Sequence, residues 1–330
     1  MKVTIAEVAK RAGVAKSTVS RYLNGGYVSE ETSAKIKAII EETHYEPNTF
    51  AQSLKAKNTN LIGVIVPRLN SYSAALILKG LEETLRTNGY QLLISNTEQV
   101  AEREIESLYG FANQKVAGII LFGTSLTTKH KKAIMDIDLP VLSIGQEYKG
   151  LPCLVYDDFQ AGLLVGEYLT EGGHRKIAYL SVPENDIAVG LRRKEGVQKA
   201  TENVADCQID YFETDFQMKS ALELFSSLIE ENRLDGKTAV ICATDNIALG
   251  VMKAARLHKL RIPEDISVIG FGDYDIADLV GLSTVHYPYY EAGKKAAAGL
   301  IGLTQGKRYV AQEYEEVHLV VRDSVKRLTD

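Results

Sequence analysis

Residues 15–26 read AKSTVSRYLNGG, and the polar groups in this stretch crowd together: Lys16, Ser17, Thr18, Ser20 and Arg21 fall within one and a half helical turns. Ammonium, guanidinium and hydroxyl groups at the front of a helix are donors for phosphate oxygens and for base edges. Lys16 and Ser17 would face bases or phosphates and Thr18 and Ser20 phosphates. Arg21 would place its fork on the O6 and N7 of a guanine.

Such donors need a frame. Thr4-Ile5-Ala6-Glu7 has the pattern of a capping box, the Thr4 hydroxyl accepting from the Glu7 amide. A helix from Ile5 puts Ile5, Val8 and Ala9 on one face and stops at Gly13. A second helix starts near Lys16, turns Val19, Tyr22 and Leu23 inward and ends at Asn24-Gly25-Gly26. A third runs from an N-cap at Ser29 to about His44, with Ile36, Ile39 and Ile40 as its apolar stripe, and Tyr45-Glu46-Pro47 breaks the pattern. Helix, glycine turn and donor-fronted helix is the helix-turn-helix arrangement. The plainer alternative is a helical docking domain whose polar face is merely solvated. The segment from Asn48 to Asn58 reads as a linker able to become helical.

Charge is unevenly placed. The chain of 330 residues carries a net charge of −5, yet residues 1–25 hold five Lys/Arg and one Asp/Glu. A basic head on an acidic body predicts that the head meets a polyanion. No apolar run approaches the ~18 residues that span a bilayer. The N-terminus shows no signal peptide, so a cytoplasmic protein is expected, without a membrane partner. Cys153, Cys207 and Cys242 are scattered and the six histidines form no ligand spacing, so neither disulfide nor metal site is expected.

From Leu61 the pattern changes. Apolar runs at 61–67, 90–97, 116–123, 140–145, 176–183, 238–244 and 267–273 alternate with amphipathic segments at 73–89, 101–115, 159–173, 189–204, 217–232, 245–259 and 289–307. Continuous apolar strands alternating with helices mean parallel sheets covered on both faces. The strands are too many for one small sheet, which predicts an α/β body of two doubly wound lobes. Ligands bind beyond the carboxyl ends of such strands. GxxxxGK[ST], GxGxxG and GxSxG are absent, so no catalytic residue, enzyme activity or cofactor is expected.

VTIAEVAKRAGVAKSTVSRYLNG, followed by VSEET, YEPN and AQSLKAKNT, resembles the N-terminus of the LacI/GalR family of bacterial transcription repressors. The likeness continues through LIGVIVP, KVAGIIL, GHRKIAYL, RxxG at 193–196, ATDNIALG and VIGFGD. Within the family, NGGYVSEET and YEPNTFAQSLKAKNT are most similar to sucrose-operon repressors of Gram-positive bacteria.

The resemblance implies a helix-turn-helix head over 1–47, a hinge helix or linker over 48–59 and an effector-binding and dimerisation domain over 60–330. That domain would have periplasmic-binding-protein-like lobes, at about 60–159 with 288–314 and about 160–287 with 315–330. The implied partners are double-stranded operator DNA, a second copy of the chain and a sugar or sugar-phosphate effector. The few residues after 314–324 imply a dimer without a tetramer-forming helix. Thr4, Lys16, Ser17, Thr18, Ser20, Arg21, Asn24, Tyr45 and Asn48 are the implied DNA contacts. Leu54 would wedge into a minor-groove step with Lys55 beside it. Tyr72, Ser73, Arg193, Thr244 and Asp245 are the implied effector contacts, Asp245 being equally readable as a helix cap.

Two departures stand out. Ala15 replaces a frequent capping serine before the second helix, with Ser17 nearby as a partial substitute. Gly272 replaces a sugar-binding aspartate, with Asp273 or Asp275 as substitutes. A sugar-binding receptor without DNA binding, or an α/β enzyme acting on sugars, would share the body's architecture.

Overall fold

The computed structural model describes residues 3–23, 25–45, 59–123, 125–147, 150–309, 312–314 and 317–328. The chain divides into two compact units, Met1–Thr59 and Asn60–Asp330.

In the first unit, α1 (Ile5–Ala12), α2 (Lys16–Leu23) and α3 (Glu30–Thr43) enclose a small core of Val8, Ala9, Ala12, Val19, Ile36 and Tyr45. Gly13 ends α1 in the left-handed region at φ 68°, and the Val14 amide donates back to the Ala9 carbonyl at 3.0 Å. That turn sets α2 across α1. The capping box at Thr4 does not form. Its side chain makes no cap hydrogen bond, and the Thr4 carbonyl accepts from Glu7 and Val8 instead. Ser29 occupies the N-cap of α3, but its hydroxyl donates to that of Thr32.

The second unit holds two parallel sheets. The first runs β2 (Gln91–Asn96), β1 (Leu61–Val66), β3 (Gly118–Phe122), β4 (Val141–Ile144), β5 (Cys153–Tyr156) and β11 (Gln312–Tyr314). Val64 is paired with Ile94 on one side and Ile120 on the other. Ile62, Val64, Ile65 and Val66 are fully buried, as a strand covered on both faces requires. Helices α4 (Tyr72–Thr87), α5 (Ala101–Asn113), α6 (Thr128–Ile137) and α12 (Tyr289–Thr304) belong to this lobe.

The second sheet runs β7 (Gln208–Glu213), β6 (Lys176–Ser181), β8 (Ala239–Cys242) and β9 (Ser267–Ile269). It carries α7 (Asp158–Glu171), α8 (Arg193–Thr201), α9 (Met218–Glu230), α10 (Asp245–Leu257) and α11 (Asp275–Leu279). Beside it, β10 (Thr284–His286) pairs antiparallel with β12 (His318–Val320). The chain therefore changes lobes three times: after β5, after β10 and between β11 and β12. In both sheets strand order reverses beside the first strand of the lobe, which opens a crevice at the carboxyl ends. The amphipathic segment at 189–204 is not one regular helix, because α8 is preceded by a π-helical turn over Ile187–Arg192.

Helices α7 and α8 cross so closely that side chains are excluded. A Cβ on Gly196 would lie 2.0 Å from the Phe159 carbonyl oxygen, and one on Gly162 would lie 2.1 Å from that of Arg193. The RxxG motif is thus a packing device that seats Arg193 beside Asp158. Gly196→Ala should lower stability by about 1–3 kcal/mol despite the better helix former, because the helices must part. An unchanged denaturant midpoint with unchanged slope would show that the crossing yields without strain.

Candidate functional site

In the head, α2 opens on the Ala15 carbonyl, which accepts from Thr18 and Val19 at 2.9 and 3.3 Å, with no capping side chain. Val19 is buried and Tyr22 and Leu23 pack on the core, so the opposite face is turned outward. Ser17 and Arg21 are exposed there, Lys16 is exposed at the first position of the helix, and Thr18 and Ser20 are half-buried. Thr4 is exposed just before α1. Neither Lys16 nor Arg21 forms an ion pair among the described residues, whereas Arg11 reaches Glu42 at 3.4 Å. Tyr45 is 9% exposed and belongs to the head's core, so most of its ring is committed to packing. Asn24, Asn48, Leu54 and Lys55 lie outside the described residues. Tyr27, outside the expected DNA contacts, is 89% exposed in the turn after α2.

In the body, a cavity of about 670 Å³ lies between the lobes. The segments after β1, β3 and β4 supply Arg68, Ser73 at the start of α4, Gly123 and Gln146; those after β6, β7 and β8 supply Asp186, Asp215, Phe216, Thr244 and Asn246 at the start of α10. At its base Arg193 Nε donates to Asp158 Oδ1 at 2.7 Å, and Arg193 Nη1 donates to the Ala243 carbonyl at 2.7 Å. The Tyr287 hydroxyl donates to the same Asp158 oxygen at 3.0 Å, and the guanidinium lies 4.8 Å from the Tyr287 ring centroid. Both charged side chains are at most 5% exposed. A buried pair of this kind contributes little net stability, but removing one partner costs about 3–5 kcal/mol.

Several contacts among the described residues bridge the cleft. The Arg68 guanidinium stands 3.9 Å over the Phe216 ring. Gln146 Nε2 donates to Asp186 Oδ1 at 3.4 Å. The Asp275 amide donates to the Tyr72 hydroxyl at 3.1 Å, with the Tyr72 and Tyr274 rings 4.4 Å apart. Burial lowers the Arg68 pKa and raises that of Asp186, which also accepts from the Val189 amide at the start of the π-helical turn.

Four of the seven expected effector contacts fall elsewhere. Asp245 does not face the cavity. It is fully buried, accepts from the Thr284 hydroxyl at 2.6 Å and the Tyr274 amide at 3.0 Å, and locks α10 to the loop after β9. Thr244 is the helix cap, accepting from the Ile247 amide, and it does line the cavity. Asp273 is taken by Arg322 at 2.7 Å and His286 at 2.9 Å, away from the cavity wall. Asp275 is exposed on α11, and Tyr72 sits in the seam between lobes. The reason lies at Gly272: a Cβ there would meet the Tyr274 ring at 2.5 Å. That ring fills the space into which a side chain would point, and among the described residues the cavity's carboxylates come from Glu98, Asp158, Asp186 and Asp215. Arg68, Asp186, Asp215 and Asn246 each follow a strand's carboxyl end, which is the sequence signal that marks them.

The family model described as bacterial regulatory proteins, lacI family, matches residues 4–48, and that of a periplasmic binding protein-like domain matches residues 167–325. The sucrose operon repressor of Staphylococcus xylosus is 40% identical over 295 residues, covering 88% of this chain and 91% of that one. The transcriptional repressor PurR of Vibrio atlanticus is 31% identical over 335 residues, covering 98% and 99%. A crystal structure of the lac repressor dimer bound to operator and an anti-inducer matches with a TM-score of 0.88 at 26% identity, covering 99% and 100%.

Asp245 gives a pH prediction. Burial chiefly raises its pKa from 3.8 to about 6. Between these values the folded state holds a proton that the unfolded state has lost, so this group's contribution falls as pH rises from about 4 to 6. Relative to Asp245→Asn, the native protein should lose up to about 3 kcal/mol across that window. Denaturant melts of both proteins at several pH values check this; a constant difference would contradict it.

Proposed function

The chain belongs to the lacI family of bacterial regulatory proteins, and from that premise we propose that it is a homodimeric, sequence-specific repressor of carbohydrate-utilisation genes, controlled by a sugar or sugar phosphate in the cleft. The observation that carries the reading is the exposure of Lys16 at the start of α2 and of Ser17 and Arg21 on its outer face, in a unit with its own core. Each head takes one half of a pseudo-palindromic operator. Arg21 reads a guanine, Lys16 and Ser17 set the preference beside it, and Thr4, Thr18, Ser20 and the Tyr45 hydroxyl hold phosphates. Asn24, Asn48, Leu54 and Lys55 extend the contacts to the backbone and the central minor groove.

The cavity's chemistry supports a carbohydrate effector. Carboxylates accept from sugar hydroxyls, guanidinium groups donate to them, and Phe216, Tyr274 and Tyr289 offer apolar faces. Arg193, Ser73 and Thr244 are the contacts kept from the sequence reading, joined by Arg68, Gln146, Asp186 and Asn246. The protein works in the cytoplasm, by binding and not by catalysis. Dimerisation is supported by apolar side chains left exposed around α11: Leu279 is 82%, Val321 55% and Ile276 43% exposed. Arg322, next to Val321, reaches Asp278 at 3.4 Å, which makes these one patch.

Anisotropy titrations of a two-fold symmetric duplex at several salt concentrations test the DNA reading. The logarithm of affinity should fall against the logarithm of salt by about 0.9 per phosphate neutralised. Arg21→Ala should weaken discrimination at one base pair per half-site by about 1–3 kcal/mol. A flat salt dependence, or intact discrimination in the variant, would overturn the assignment.

A further inference from the structure

Two of the histidines come together only through strand register. β10 and β12 run antiparallel, and His286 stands directly opposite His318. Far apart in sequence, they show no ligand spacing. Their ring centroids are 4.9 Å apart, with the planes 32° from parallel. The His286 side chain is 37% exposed and His318 is exposed, so both rings are open to solvent. Val285 and Leu319, the neighbouring pair in the register, pack with the core and hold the ribbon in place.

The surroundings of His286 prepare it to ligate. Its Nδ1 lies 2.9 Å from Asp273 Oδ2, and Arg322 Nη2 donates to the other carboxylate oxygen at 2.7 Å. A carboxylate paired with a guanidinium accepts hydrogen bonds and donates none, so Nδ1 carries the proton and Nε2 keeps its lone pair. A carboxylate behind an imidazole orients the ring and raises its basicity, as it does for metal-bound histidines. Asp278, 3.4 Å from Arg322, makes two carboxylates against one guanidinium, a setting that favours a cation.

The spacing fits chelation. An imidazole nitrogen lies about 2.0–2.1 Å from zinc, which with about 1.1 Å more to the ring centre puts the ion about 3.2 Å from each centroid. Two such rings at about 90–110° around the ion stand about 4.5–5.2 Å apart, and the observed separation falls within that range. No group of three or more His, Cys, Asp or Glu side chains able to hold a metal forms among the described residues, so water completes the coordination. Imidazole nitrogens suit zinc, nickel and copper, whereas magnesium and calcium take oxygen ligands.

We propose that His286 and His318 bind one divalent transition-metal ion. His286 is the last residue of β10, just before one lobe crossing, and His318 is the first of β12, just after another. The ion therefore fastens two of the three crossings to each other. Neither histidine lines the cavity, so the site does not depend on what the cleft binds.

Calorimetric titration of the full chain, untagged and stripped with chelator, with Zn²⁺, Ni²⁺ and Mg²⁺ tests this. Zn²⁺ and Ni²⁺ should bind at one ion per chain, and Mg²⁺ at least tenfold more weakly. His318→Ala and His286→Gln should each weaken Zn²⁺ binding tenfold or more. Saturating Zn²⁺ should raise the thermal midpoint of the native chain and slow amide exchange in β10 and β12, with both effects lost in either variant. The metal-free thermal midpoints show that the variants fold. Zn²⁺ binding unchanged in both variants would place the ion elsewhere. That result, equal binding of Mg²⁺, or no binding of Zn²⁺ and Ni²⁺ would overturn the assignment and leave the histidines as a stacked pair.

Discussion

The body is organised around one ion pair taken out of water. Asp158 opens α7 immediately after the chain leaves the first lobe, and Tyr287 lies where it returns after β10. Both meet Arg193 at the base of the cleft, where the Ala243 carbonyl takes a further guanidinium hydrogen. Such a pair is weak as a source of stability, since desolvation consumes most of the Coulombic gain. Its effect is positional. A carboxylate and a guanidinium with no water to replace each other must stay together, and the segments that carry them stay with them. A ligand touching Arg193 therefore touches two of the three lobe crossings.

The contacts across the cleft give the ligand something to act on. Arg68 over Phe216, Gln146 with Asp186 and Tyr72 with Tyr274 and Asp275 each join one lobe to the other. Arg68, Phe216, Gln146, Asp186 and Tyr274 also line the cavity, so a polyol held there would share these side chains with the lobe-to-lobe contacts. A ligand shifts the balance between lobe arrangements only by binding one better than another. Contacts that it replaces on opening, or reinforces on closing, supply that difference.

Much of this was legible in the residues. The alternation of apolar runs and amphipathic segments marks the parallel sheets, and the donors on α2 stand out against a polar but unremarkable neighbourhood. The site was less legible, for a physical reason. Asp245 and Asp273 are in the right loops, but a carboxylate in a loop serves whichever donor is nearest, and Thr284, the Tyr274 amide, His286 and Arg322 are nearer than the cavity. Asp158 carries no sequence signal of its own, because its role comes from a helix crossing set by Gly162 and Gly196 rather than from its neighbours in the chain. The capping pattern at Thr4 misled for a similar reason: the pattern permits the bond, and the local backbone satisfies its amides without it.

In a repressor worked by a ligand, one free energy links the cleft to the operator. Coupling of that kind is reciprocal: whatever factor a ligand imposes on operator affinity, the operator imposes on ligand affinity. The most direct measurement is carbohydrate affinity by calorimetry on the full chain, free and saturated with a two-fold symmetric operator duplex. Two different affinities are expected, in the ratio by which the same carbohydrate changes operator binding. Equal affinities in the presence and absence of operator would contradict it.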